Sequence, residues 1–275
     1  MASTAPIRLF YWSSVTYEHK AAENYGDLLS PYIVAQLSGR EVAFYDVPNR
    51  KKFWQRKPYL MAIGSIMSHT QTKALVWGSG IISRDDHFSE AQFLAVRGPL
   101  SRKRILELGY SCPEKYGDPA LLLPQLYAPT VAKTHAVGFI PHYVDYPVVR
   151  QQYLDQSDCQ VIDLITSDHQ ATTRQILSCE RIISSSLHGV IVAQAYGIPA
   201  IWVRFSDKLS GDNVKFFDYF ESVGIPPYTG ELIEKPLSPV EIENLFSSQT
   251  HTADTALLQQ RQQDLRTTFP YKAHE

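Results

Sequence analysis

Residues able to move protons or hold anions gather at a few points along this chain of 275 residues. The densest is Ser184-Ser185-Ser186-Leu187-His188, within Glu180–Val203. Serines that lead into a helix supply capping oxygens. The helix N-terminus adds free N–H groups and a partial positive charge, which suits a phosphate or carboxylate. A histidine there can give or take a proton near neutral pH. His142, at the end of another apolar run, is a second such histidine on the same kind of edge. Asp27 opens a helical pattern after Gly26. It reads equally as a helix-terminus charge and as a carboxylate that binds hydroxyls or accepts a proton. Arg97 and Arg204 each follow a strand-like run, where an arginine can clamp an anion in bidentate fashion or pair with a nearby acid. Lys215 lies near a helix start, where the dipole disfavours a cation, so a lysine there points to an anion held against it. Asp118, between Gly117 and Pro119, reads as a turn-fixing residue. His19, His69, His87, His135 and His169 have no partner pattern and read as surface or structural groups. No His, Cys and Asp spacing fits a metal, and no glycine-rich turn is a complete dinucleotide or ATP loop.

The elements that must position these groups alternate between strand and helix. Arg181–Ser184 is a short strand, a helix runs through Val190–Ala195 to Gly197 and Pro199, and Ala200–Val203 is the next strand. Such a unit belongs to a parallel sheet covered by helices, whose ligands bind beyond the carboxyl ends of the strands. Earlier, Ile7–Trp12, Glu41–Asp46, Tyr59–Ile63, Ala74–Trp77 and Phe93–Val96 read as strands, with helices from Asp27 to about Leu37 and after Pro99. The basic run Pro48–Pro58 reads as a solvated loop. Gln125–Thr134 reads as a linker. A second series follows: strand His135–Ile140, helix Val148–Leu154, strand Val161–Leu164, helix Thr172–Ser178, then the unit above and helix Asn213–Val223. The expectation is an α/β protein of two doubly wound, Rossmann-like domains facing a cleft, residues 1–130 and 131–236, with helices in 237–275 that cross back to the first domain.

Composition sets the bounds. Apolar residues make up 44% and charged residues 20%, an ordinary globular balance. The formal net charge of −2 gives no global pull toward nucleic acid or anionic membrane, so any anion site is local. Three dispersed cysteines, Cys112, Cys159 and Cys179, show no disulfide framework and point to a reducing, cytoplasmic setting. The N-terminus does not read as a signal peptide, and no run approaches the length of a membrane span.

Taken in order, Asn24-x-Gly26-Asp27, Gly64-Ser65, Trp77-Gly78-Ser79-Gly80, Val96-Arg97-Gly98-Pro99-Leu100, Gly117-Asp118-Pro119-Ala120, His142, Ser185-Ser186-Leu187-His188-Gly189 and Lys215-Phe216-x-Asp218 form a recognisable series. Over residues 7–224 the chain resembles the polysaccharide pyruvyl transferase family. Many members carry an arginine where Ser186 stands, and Arg204, Arg97 or Lys215 would compensate. The resemblance implies a GT-B-like fold and transfer of the enolpyruvyl unit of phosphoenolpyruvate to two hydroxyls of one sugar, forming a cyclic ketal. The donor is a substrate, and no cofactor or metal is implied. His188 would be the general acid/base, and Asp27 and His142 would assist or contact the sugar. Asn24, Ser184, Ser185, Ser186, Arg97, Arg204 and Lys215 would bind substrate. The acceptor sugar could be lipid-linked, met at the inner face of the membrane by peripheral contact. Two other readings fit the same elements. One is a GT-B glycosyltransferase, with Asp212 or Asp218 on the nucleotide of a nucleotide sugar. The other is a non-catalytic saccharide-binding protein.

Overall fold

A computed structural model of the chain describes residues 5–47, 57–208, 211–248 and 252–271. The basic run lies outside these residues as far as Arg56. In the first half the elements are β1 (Ile7–Phe10), α1 (Ser14–Glu18), β2 (Glu23–Asn24), α2 (Tyr25–Ser38), β3 (Val42–Phe44), β4 (Tyr59–Met61), β5 (Ala74–Trp77), β6 (Gln92–Ala95), α3 (Pro99–Glu107) and α4 (Leu123–Leu126). In the second half they are β7 (His135–Ile140), α5 (Tyr146–Gln152), β8 (Cys159–Val161), β9 (Ile165–Thr166), α6 (His169–Leu177), β10 (Cys179–Ser184), α7 (Leu187–Ala195), β11 (Ala200–Arg204), α8 (Val214–Ser222) and β12 (Glu231–Leu232). Helices α9 (Pro239–Ser248) and α10 (Thr255–Thr268) follow.

The protein is α/β with two five-stranded parallel sheets, ordered β3-β1-β4-β5-β6 and β12-β11-β10-β7-β8. Parallel strands are covered on both faces, which is why Tyr59, Leu60 and Met61 are all buried in a row. Counted within its own sheet, each half has the order 2-1-3-4-5, so the order reverses between β1 and β4 and again between β7 and β10. In open α/β sheets the crevice at such a reversal is where ligands bind.

The halves are joined by more than a linker. Strand β2 pairs antiparallel with β9, Glu23 opposite Thr166 and Asn24 opposite Ile165. The expected strand Val161–Leu164 therefore divides: β8 ends at Val161, and the Asp163 side chain accepts from the Ile165 N–H at 2.8 Å and turns the chain toward β2. The helix expected from Thr172 starts earlier, because Asp168 caps it by accepting from the Ala171 N–H. The helix expected from Val148 likewise starts at Tyr146, with Pro147 in its first turn. At the far end, α10 lies on the first half, where the Trp77 indole donates to the Leu265 carbonyl at 2.9 Å.

Candidate active site

The two reversal points share one cavity of about 350 Å³. From the first half it is lined by Trp12 and Ser14 after β1, Asn24 and Asp27 at the start of α2, and Gly64, Ser65, Ile66, Ser68 and His69 after β4. From the second half come His142 and Tyr143 after β7, Ser186, Leu187 and His188 after β10, and Lys215 at the start of α8.

His188 sits in the first turn of α7. A Cβ on Gly26 would overlap its ring at Nδ1, so the imidazole lies directly on the α2 backbone, next to Asp27. Its other nitrogen, Nε2, is 3.5 Å from Oδ2 of Asp118. Asp118 is 1% exposed, and its Oδ1 accepts from the Ala120 N–H at 3.0 Å. A buried carboxylate facing Nε2 favours the tautomer protonated there and leaves Nδ1 as the accepting atom. The turn reading of Asp118 was therefore half of its role: one oxygen fixes the turn and the other faces the histidine.

Asp27 is half-buried. Burial, reinforced by Glu23 and Glu18 and opposed by His188 and Lys20, raises its pKa to about 7. A carboxyl shifted toward neutrality is suited to give or take a proton. His142 is held by its backbone N–H, which donates to Ser185 Oγ at 2.8 Å. Burial, with Lys215 and Lys20 nearby, lowers its pKa to about 4, so the ring is neutral at physiological pH. Lys215 has no hydrogen-bond or ion-pair partner among the described residues. Burial and then the charge of Arg97 lower its pKa to about 8.

Of the three serines, Ser186 alone lines the cavity. Ser184 Oγ accepts from the Ser186 N–H at 3.0 Å and donates to the Ile140 carbonyl at 2.9 Å, and Ser185 holds His142, so both build the turn. Asn24 lines the cavity while its side chain caps α2 by accepting from the Gly26 N–H at 3.0 Å. Neither arginine lines it. Arg97 is 1% exposed, with Nε on Asp218, Nη1 on Ser65 and Nη2 on the Ile81 carbonyl. Arg204 bonds the Gly230 carbonyl and Asp207. Asp218 is consumed by Arg97 and Ser101, and Asp212 by the N–H groups of Val214 and Arg84.

Sequence reasoning missed Trp12, Ser14, Glu18, Ser65 and Tyr143, which line the cavity beside the groups it found. Trp12, Ser14 and Ser65 lie within four residues of the ends of β1 and β4, so the strand-end rule applied to the first sheet reaches them. His69, expected as a surface or structural group, is on the cavity wall and stacks on Trp12 at 5.4 Å between centroids. Lys20 ties the two walls, pairing with Glu18 at 2.5 Å and lying 2.8 Å from the centre of the Tyr143 ring. Among the described residues there is no group of three or more His, Cys, Asp or Glu arranged to hold a metal, and no helix is long and apolar enough to cross a membrane.

A family model described as polysaccharide pyruvyl transferase matches residues 24–207, which include Asn24, Asp27, Asp118, His142 and His188 but not Lys215. The uncharacterized protein L143 of Acanthamoeba polyphaga mimivirus is 32% identical over 177 residues, 61% of this chain and 61% of that protein. The succinoglycan biosynthesis protein ExoV of Rhizobium meliloti (strain 1021) is 24% identical over 189 residues, 60% of this chain and 54% of that protein. The matches thus span between half and two thirds of these relatives.

Proposed function

The chain belongs to the polysaccharide pyruvyl transferase family, and from that premise we propose that it transfers the pyruvyl unit of phosphoenolpyruvate to two hydroxyls of one sugar. The product is a cyclic ketal on a glycan under construction, and phosphate is released. The observation that carries this reading is one cavity that brings Lys215 and the α7 N-terminus together with Asp27 and His188. Lys215 and the α7 N-terminus at Ser186 suit a donor with one phosphate and one carboxylate. Asp27 and the His188–Asp118 couple suit the proton transfers.

The chemistry follows from those groups. Asp27, partly protonated near pH 7, gives its proton to the methylene carbon, making it a methyl group and leaving C2 electron-poor. A sugar hydroxyl attacks C2 as His188 Nδ1 takes its proton. The second hydroxyl then attacks C2 and the bond to the phosphate oxygen breaks; phosphate leaves with the proton held on His188, and the proton of the second hydroxyl restores the acid form of Asp27. His142, neutral, offers a hydrogen bond to the sugar from the second half. The two sheets with their site between them are read as a GT-B-like arrangement. The enzyme would act in the cytoplasm, on acceptors that include lipid-linked ones met at the membrane face. The nucleotide-sugar alternative loses support, since Asp212 and Asp218 are both occupied by protein donors.

The test is thermal unfolding with phosphoenolpyruvate, with UDP- and GDP-sugars as comparators, followed by phosphate release with an acceptor panel. A ligand at a hundred times its Kd raises stability by about 2.7 kcal/mol. Stabilisation by phosphoenolpyruvate, lost in His188→Ala or Lys215→Met, supports the reading. Stabilisation by a nucleotide sugar alone overturns it.

A further inference from the structure

We infer that the buried Arg97–Asp218 pair is the positioning device of this site: it fixes α8 of the second half against the first half and so holds Lys215 in the cavity, without touching substrate. The inference rests on the reading that Lys215 holds the donor's anionic groups.

Arg97 and Asp218 are 1% and 0% exposed and meet at 3.0 Å. Asp218 also accepts from the Ser101 N–H at 2.9 Å and from Ser101 Oγ at 2.6 Å. Ser101 lies in the first turn of α3, so a carboxylate from α8 caps a helix of the other half, at the end where the dipole favours an anion. The remaining Arg97 donors go to Ser65 Oγ at 2.6 Å and the Ile81 carbonyl at 2.7 Å. Ser65 and Ile82 line the cavity, so the pair is one residue removed from it on that side.

Two glycines admit the approach. A Cβ on Gly80 would overlap the Arg97 guanidinium, and one on Gly98 would overlap the Asp218 carbonyl. Lys215 and Asp218 are three residues apart on one helix, hence neighbours on one face. The segment before α8 is seated on the same half: Asp212 accepts from the Arg84 N–H at 3.0 Å, and the backbone at Gly211 lies against the Ile82 carbonyl. Lys215 is therefore flanked by two attachments to the first half, while the lysine itself has no polar partner among the described residues. Its place is set by the helix that carries it.

After burial, the charge of Arg97 is the second influence on Lys215. Arg97 opposes its protonation from the β6 side and Asp218 offsets Arg97. His142 faces it from the end of β7, and Asp27, His188 and Glu18 share the cavity. Breaking one partner of a buried pair strands a charge, whereas replacing both by apolar groups of similar size is often tolerated.

The experiment uses the full chain with its lysines reductively ¹³C-methylated. The Lys215 signal is identified by its loss in Lys215→Arg, and phosphoenolpyruvate binding is followed by calorimetry. In Asp218→Asn, which leaves Arg97 uncompensated, the Lys215 titration moves to lower pH. In the double variant Arg97→Met with Asp218→Leu it moves to higher pH, and donor affinity falls at least tenfold in both. Where these fail to fold, Ser101→Ala removes one donor to Asp218 and keeps the ion pair. A displaced Lys215 titration with a severalfold loss of donor affinity in that variant supports the inference. Folded variants with the wild-type Lys215 titration and wild-type donor affinity overturn it. If instead Lys215→Met binds phosphoenolpyruvate normally while the pair variants still displace the Lys215 titration, the donor reading fails and the positioning of the lysine stands.

Discussion

Asp118 faces His188 across 3.5 Å, from Oδ2 to Nε2, and these two residues come from opposite halves of the chain. A carboxylate facing Nε2 favours the tautomer protonated there, so its loss should strike turnover rather than donor binding. Asp118→Asn keeps an oxygen for the Ala120 N–H and hence the turn. It offers the ring no negative charge. We expect phosphate release to slow by at least about 10²-fold with donor affinity and Tm nearly unchanged. A variant with wild-type turnover would remove Asp118 from the mechanism.

Gly26→Ala should be as damaging as a change in His188 itself. In most helices the substitution adds up to about 1 kcal/mol of stability. Here the new methyl would overlap the His188 ring at Nδ1, Cγ and Cε1, and the ring must swing off Asp118 to admit it. Activity should drop by more than about 10²-fold. The displaced ring should appear as a changed tautomer balance in ¹⁵N spectra of the histidine. Full activity in Gly26→Ala would show that the ring position is not what turnover requires.

The elements that carry the site were legible because each is signalled locally. The Ser-Ser-Leu-His turn after an apolar run placed His188 at a strand end, the same rule found His142, and Asp27 was signalled by the helix start after Gly26. Partners far apart in sequence were not legible. Arg97 follows a strand as an anion-binding arginine would, and nothing near it reports that Asp218, 121 residues later, occupies it. Asp118 read as a turn residue because its second oxygen meets its partner only when α7 packs on the turn at Pro119–Leu122. His69 has no local pattern, and its ring reaches the cavity through stacking on Trp12.

Donor affinity should depend on pH through Lys215. Its pKa is lowered to about 8, so the charge that binds an anion is present below pH 8 and lost above it. Phosphoenolpyruvate affinity should weaken above pH 8, approaching tenfold per pH unit. In Lys215→Arg, whose charge persists past pH 12, the weakening should disappear. Calorimetry across this range decides it: a profile flat to pH 9.5 in the wild type would exclude Lys215 as the group that binds the anion.

Asp27 and His142 should oppose each other in the pH dependence of stability. Asp27 rises from 3.8 to about 7 in the folded state, so the native chain binds the extra proton, and stability falls as pH climbs through that window. His142 falls from 6.5 to about 4, so the unfolded chain binds the extra proton and stability rises from pH 4 to 6.5. Each slope is at most about 1.36 kcal/mol per pH unit, and the two nearly cancel in the wild type. Asp27→Asn removes one of them. Urea unfolding of that variant should show stability climbing by about 3 kcal/mol between pH 4 and 6.5. At pH 8 the variant should be more stable than the wild type, because no carboxylate is then ionised in a partly buried place. The same variant should have lost its activity, having exchanged a strained acid for a stable amide. If Asp27→Asn is no more stable than the wild type at pH 8, the carboxylate is not held against its ordinary pKa and cannot serve as the acid near neutrality.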